Sequence, residues 1–339
     1  MPWAARVWAE AAAIRSQSDR SHLMRAIGLM RFGGPEVLRP INIPLPEPGR
    51  GEVRIRVHAA AVNPTDAIFR AGNGQARLLG DRPPPFVPGM DAAGIIDKIG
   101  PNNDGRLAVG DPVIALVLPA GPRGGAYADQ IVAPSASVVR APAGVTLTAA
   151  ATLPLNGLAA RVALDALALT RGQTVAVTGS AGALGGYVIQ LARADGLTVV
   201  ADAAPADTEL IRSLGADVVV ARGEQVAAAI RAAVPAGVNG LVDAANQQAL
   251  VLGGIADGGG LAEVRGWAGP GERNIAVHTI VANSVAADTR RLEQVRDLAE
   301  RGTLTLRVAK VLPAERAAEA HRRLEHGGLR GRFVLDFTQ

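Results

Sequence analysis

The chain has 339 residues, 48% hydrophobic and 19% charged, which fits a globular protein of about two domains and excludes a disordered or fibrous one. Its formal net charge of +4 rests on scattered arginines, with Lys98 and Lys310 the only lysines and 3% aromatics, so no basic stripe with stacking platforms marks a nucleic-acid surface. The absence of cysteine removes disulfides, thiol nucleophiles and thiolate metal ligands together, and no apolar run approaches the roughly 18 residues that a membrane helix needs.

Residues 1–23, "MPWAARVWAEAAAIRSQSDRSHL", look unlike the rest. Glu10 breaks the apolar core a secretory signal needs. The segment reads as a disordered leader ahead of a functional start at Met24, with a transit peptide as the alternative. From Met24 to about residue 145 the pattern is short strands and turns. "EVRIRVHAAAVN" alternates, with Val53, Ile55 and Val57 on one face. Proline and glycine punctuate at "PLPEPGRGE", "GDRPPPFVPG", "VGDP" and "PAGPRGG". This predicts a β-rich, barrel-like unit.

At about residue 146 the texture changes. "TLTAAATLPLNGLAARVALDAL" is alanine-rich and helical. Beyond it, the strand-like runs "TVAVTG", "LTVVAD", "VVVA", "GLVDAA" and "GGLAEVRG" alternate with helical ones. Such βαβ repetition predicts a doubly wound parallel sheet. Its first turn, "VTGSAGALGG", places Gly179, Gly182 and Gly185 between a strand and a helix. The spacing is G-x-x-G-x-x-G rather than the dinucleotide fingerprint G-x-G-x-x-G. Alone it is a phosphate-holding turn or a plain glycine-rich one; its place after the first strand favours the phosphate. A final segment from residue 288 carries the helix "TRRLEQVRDLAERGTL" and the strand "GRFVLDF", expected to return to the first unit.

Nine segments in one order resemble the medium-chain dehydrogenase/reductase superfamily in its zinc-free quinone oxidoreductase branch. They are "FGGPEVL", "AAVNPTDAIFRAG", "VPGMDAAGIIDKIG", "VGDPV", "GGAYAD", "TLPLNGLAA", "VTGSAGALGG", "SLGAD" and "AAEAHRRLEHGGLRGRFVL", spanning about Met24 to Phe337. The resemblance implies an α/β fold: a GroES-like β-rich catalytic domain at 24–145, a Rossmann cofactor-binding domain with a doubly wound parallel sheet at 146–287, and a C-terminal return at 288–339. It implies that the turn of Gly179, Ser180, Ala181, Gly182, Ala183, Leu184 and Gly185 holds the cofactor's pyrophosphate. It also implies that "LAEVRG", with Val264 and Gly266 and preceded by Gly258 to Gly260, lines the nicotinamide pocket through its backbone. Gly331 and Arg332 match the family's "GK" near the cofactor. The zinc-ligand positions of metal-dependent members correspond to Pro64 or Thr65, Met90 and Asn156, which make no usual zinc site. The five histidines, His22, His58, His278, His321 and His326, show no ligand spacing.

Without a metal or flavin motif, the chemistry left is direct hydride transfer from a nicotinamide. Asn63 matches the family's asparagine in the "VNP" turn and is the candidate donor to a developing oxyanion; the alternative is an asparagine capping a turn before proline. Asp66 reads as structural. Related enoyl reductases carry a tyrosine proton donor that "FRAGNGQARLLG" lacks, so water, the substrate or Tyr127 supplies the proton. Asp202 ends the second Rossmann strand, where an acid selects NAD, but stands one residue short of that acid by alignment. Arg222 stands where relatives put a tyrosine beside the 2′-phosphate. The expectation is a cytoplasmic, zinc-independent NADP(H)-dependent reductase of quinones or α,β-unsaturated carbonyls, with NAD(H) left open and no metal. Its partner is a small-molecule substrate, not nucleic acid or membrane, and "NIAVHTIVANSVA" could supply a homodimer edge. The alternatives are a pathway-specific enoyl reductase of polyketide-type metabolism and a non-catalytic NADPH-binding protein.

Overall fold

In the computed structural model, which describes residues 23–339, the first unit contains β1 (Leu23–Gly28), β2 (Arg39–Pro44), β3 (Glu52–Val62), β4 (Asp91–Ile99), β5 (Pro112–Leu116), β6 (Gln130–Pro134) and β7 (Val138–Arg140). The expected leader at 1–23 lies outside the described residues except for Leu23, which opens β1. The alternation at 52–62 produces an 11-residue strand, β3, with Val53, Ile55 and Val57 buried on its core face. The helix α1 (Pro64–Arg70) follows at once, because Pro64 has no N–H to satisfy and its fixed φ suits the first helical position.

The second unit is a six-stranded parallel sheet of β8 (Thr174–Thr178), β9 (Thr198–Ala203), β10 (Val218–Ala221), β11 (Val238–Asp243), β12 (Ile255–Glu263) and β13 (Ala276–Thr279). Its order is β10-β9-β8-β11-β12-β13, so the direction of winding reverses between β8 and β11. That reversal opens a crevice at the carboxyl ends of those two strands, where ligands of such sheets bind. The helical stretch expected as one piece is two, Leu147–Ala150 and α2 (Pro154–Leu167), because Pro154 cannot continue the hydrogen-bond ladder. Gly258 to Gly260 lie within β12 rather than ahead of it. The glycine turn leads into α3 (Ala183–Ala194).

The last segment begins with α4 (Thr289–Glu300), whose first turn is capped by Asp288 accepting the Arg291 N–H at 3.0 Å. Then come β14 (Val308–Pro313), α5 (Ala317–Glu325) and β15 (Arg332–Asp336). The strand β3 is long enough to serve two partners on one side: its first half pairs with β6 and its second half with β15. The C-terminal strand therefore completes the sheet of the first unit, in the order β14-β15-β3-β4-β5-β7. Its register sets Phe333 against Val62, while Ala61 lies against Asp91 at the start of β4. Three strand ends meet there. The same buried cluster contains Ala59, Met90 and Ile114 of the first unit and Leu153, Val177 and Val188 of the second, so the two units share a core. No helix of the described residues is long and apolar enough to cross a membrane.

Candidate active site

Asn63 stands at the junction of strand ends, fully buried, between β3 and α1. Its Nδ2 donates to Asp91 Oδ2 at 2.8 Å, and its Oδ1 accepts from Asn156 Nδ2, on α2, at 2.9 Å. Asn156 Oδ1 in turn accepts from an Nη2 of Arg332 at 2.7 Å. The polarity of this chain is dictated by its ends. A guanidinium only donates and a carboxylate only accepts, so each amide between them must face one way. Asp91 Oδ1 also accepts the N–H of Leu155 at 2.7 Å, in the first turn of α2. A carboxylate of the first unit thereby caps a helix of the second and orients the Asn63 amide at the same time. Burial pushes Asp91 up to about 7, against which Asn63, Leu155 and Arg332 favour the charged form.

The capping alternative for Asn63 is met. It does stand at the cap of a helix, where its backbone N–H donates to Asp66 Oδ2 at 2.8 Å. Its side chain also reaches across the domain seam, to Asp91 and Asn156.

The glycine turn is built for close backbone approach. Gly179 has φ +68, the left-handed region that favours glycine. A Cβ on Gly185 would lie 2.5 Å from the Gly179 carbonyl and 2.7 Å from Ser180 Cα. The Gly182 N–H closes the turn on Gly179 O at 2.9 Å, which leaves the first-turn N–H groups of Ala183 and Leu184 without intrahelical partners. Such groups suit a phosphate. These residues fit a dinucleotide.

Asp202 is placed differently from the expectation. It is buried, and its Oδ1 accepts the Ser180 N–H at 3.0 Å, so it braces the glycine turn. Arg222 follows β10, exposed and with no ion pair among the described residues; its N–H donates to Ala203 O at 3.2 Å, at the end of β9. Val264 is partly buried against the shared core. The Gly266 N–H donates to Glu263 at 3.0 Å, so that amide is bonded within its own loop.

Three polar residues missed in the sequence end neighbouring strands in register: Thr178 beside Asp243, and Asp243 beside Glu263. The Thr178 hydroxyl donates to Asp243 at 2.7 Å, and Asp243 also accepts the Gln248 N–H at 2.7 Å. They fix the loops leaving the crevice. The available signal was a lone polar residue closing each apolar run.

Tyr127 does not serve as an acid toward the crevice. It is fully buried in the core of the first unit, its hydroxyl 3.3 Å from Asp66 Oδ2 and 3.2 Å from His321 Nε2. Burial beside Asp66 pushes it well above its ordinary range. His321, dismissed as dispersed, belongs to this group on α5, and burial with Arg70 nearby lowers it to about 3. A neutral buried histidine binds fewer protons than the unfolded chain between pH 6.5 and about 3. Its contribution is therefore complete above pH 6.5 and is lost as pH falls through that window. Burial raises Asp66 from 3.8 to about 7, which acts in the opposite sense, lowering stability as pH rises through that interval. Thermal melts at pH 7 and about pH 4.5 should show a smaller acid loss for His321→Gln than for the unsubstituted protein. Equal losses would remove His321 from this role.

Two family profiles match the chain: an alcohol dehydrogenase GroES-like domain over residues 49–143 and a zinc-binding dehydrogenase over residues 214–335. The chloroplastic quinone-oxidoreductase QR1 of Triphysaria versicolor is 33% identical over 205 residues, which cover 58% of this chain and 61% of that one. The chain thus aligns with under two thirds of that relative's length. Among solved structures, one of an NAD-dependent alcohol dehydrogenase is 30% identical with a TM-score of 0.80, covering 92% of this chain and 99% of the other. A mycobacterial structure complexed with NADPH is 29% identical with a TM-score of 0.80, covering 92% of this chain and 100% of the other.

Proposed function

The chain belongs to the medium-chain dehydrogenase/reductase superfamily, in its quinone oxidoreductase branch, and on that premise we propose that it is a zinc-independent, NADPH-dependent reductase of quinones or α,β-unsaturated carbonyls. The observation that carries the proposal is the glycine turn, with Gly179 and Gly185 shaped for a phosphate and the first-turn N–H groups of α3 free. A bound nicotinamide supplies hydride. The protein's own part is to hold and polarise. Asn63 has a second Nδ2 hydrogen beyond the one given to Asp91, and that hydrogen is the donor for an oxyanion developing on the substrate. Asp91 and Asn156 set its direction, and Arg332 polarises the amide chain from the far end. With Tyr127 enclosed, the proton comes from water or the substrate.

Support for zinc independence is the donor chemistry. Pro64, Thr65 and Met90 offer no imidazole or thiolate, and the Asn156 amide is bonded at both its oxygen and its nitrogen. Support for NADPH is Arg222, exposed and without an ion pair among the described residues, with its backbone N–H on the Ala203 carbonyl at the end of β9, together with an Asp202 oxygen already bound by the turn. Arg222→Ala should raise the KM for NADPH about tenfold and leave that for NADH within about twofold. Equal effects on both would withdraw the 2′-phosphate role. The dimer proposal rests on β13, a free edge of the six-stranded sheet; light scattering at the monomer mass would end it.

A second reading, a dinucleotide binder without catalysis, is favoured by one observation: Asn63 is fully buried with both amide atoms bonded. Oxidation of NADPH and NADH with a panel of quinones and enones, with and without a chelator, separates the two. Chelator-insensitive turnover supports the reductase; tight NADPH binding without turnover supports the binder.

A further inference from the structure

One charged side chain has no part in that chemistry. Arg307 stands just before β14, in the sheet of the first unit, yet its guanidinium lies on the glycine turn of the second. Nη1 donates to the Ala181 carbonyl at 3.0 Å and Nη2 to that of Gly182 at 2.6 Å. Gly186 is its seat, since a Cβ there would overlap Arg307 Nη2. That accounts for the second glycine of "GG": Gly185 serves the turn, and Gly186 admits the arginine. The Arg307 carbonyl accepts the Arg332 N–H at 3.0 Å, an approach that Gly331 permits because a Cβ there would overlap that carbonyl. Two guanidinium groups thus come from one strand pair, one onto the turn and one onto the Asn63 chain.

Neither forms an ion pair with a carboxylate among the described residues. The carboxylates whose fields reach them bond other groups, Asp66 among them, whose Oδ2 accepts from the Asn63 N–H and the Tyr127 hydroxyl. Asp207 binds two nitrogens of Arg330, at 2.6 and 2.7 Å, and Asp91 binds Asn63 and Leu155. Arg332 Nε is buried with no partner at all. Two part-buried cations acting on each other are unfavourable until an anion neutralises them. The turn beside Arg307 is the one shaped for a phosphate.

We infer that Arg307 is a cofactor-binding residue: with Arg332 it forms the cation pair that the dinucleotide's pyrophosphate neutralises, while its two carbonyl contacts hold the phosphate turn in shape. The inference rests on the dinucleotide reading above. A guanidinium has five N–H donors, and two of those on Arg307 are used by the turn, so donors remain for a phosphate oxygen.

The experiment is a titration of the whole protein, followed by tryptophan fluorescence, with NADPH, NADH and inorganic pyrophosphate at low and high NaCl. It is run on the unsubstituted chain, Arg307→Gln and Arg307→Lys, with the melting temperature of each unliganded protein. Arg307→Gln should melt no lower than the parent, bind both dinucleotides about tenfold or more weakly, and show a shallower salt dependence. It should also lose competition by pyrophosphate, whereas Arg307→Lys, which keeps the charge, should retain most of the affinity. Arg307→Gln binding dinucleotide within about twofold of the parent at both salt concentrations would overturn the inference. So would a salt-independent loss shared fully by Arg307→Lys, which marks a purely structural role. An unsubstituted protein that binds neither dinucleotide removes the functional reading and this inference together, and is told apart because the failure shows in the parent.

Discussion

Asp91→Ala is expected to cost about 3–5 kcal/mol in urea denaturation and to abolish turnover. The carboxylate holds the Leu155 N–H at the start of α2 and the Asn63 amide, and it closes a chain whose other end is the Arg332 guanidinium. Its removal leaves two donors unbonded, the buried Asn63 Nδ2 and the Leu155 N–H, and takes away a negative field that acts on Arg332. Asp91→Asn keeps the shape and one acceptor oxygen but turns an NH2 toward one of the two donors. Its loss should be roughly half as large. A denaturation midpoint for Asp91→Ala equal to that of the parent would show that the carboxylate does not tie the two units together.

Gly185→Val should lower dinucleotide affinity by about a hundredfold or more while costing about 1–3 kcal/mol of stability. The new Cβ would meet backbone, the Gly179 carbonyl at 2.5 Å and Ser180 Cα at 2.7 Å, and backbone can yield only by opening the turn. Opening it also strains the Ser180 N–H bond to Asp202. Gly182→Ala gives the contrast. There the nearest atom is Gly179 O at 3.1 Å and φ is −73, so a loss of less than about tenfold is expected. Titration of the three proteins with NADPH and NADH reads the gradient. Equal affinities for Gly185→Val and the parent would mean that the turn does not hold the phosphate.

Much of the frame was legible because its signals are local. Alternation over 52–62 marked β3, and a strand, a glycine turn and an apolar helical face marked the start of the parallel sheet. Where local signals were read too simply, backbone chemistry corrected them: Pro154 divides a helix, and Gly258 to Gly260 tolerate a place inside β12. Asp202 shows a different limit. Its position near the end of β9 was plain, but whether its carboxylate faces a ribose or the Ser180 N–H depends on how two strand ends lie side by side.

The sequence by itself determined two units, the glycine turn and a family, because periodicity, glycine spacing and motif order are carried by neighbouring residues. It also placed Asn63 correctly at the end of β3. The company Asn63 keeps was decided only by the tertiary structure. Its partner Asp91 is 28 residues away and Asn156 is 93, while Arg332 stands 176 residues beyond Asn156. These meet because β15 takes the second half of β3 in one register and α2 docks across the seam. Arg307 on its seat at Gly186 is the same kind of fact. No pattern in "LTLRVAK" marks that arginine, since its meaning comes from an uncompensated charge beside a turn in another unit, and charge balance in a folded interior is a property of what packing brings together.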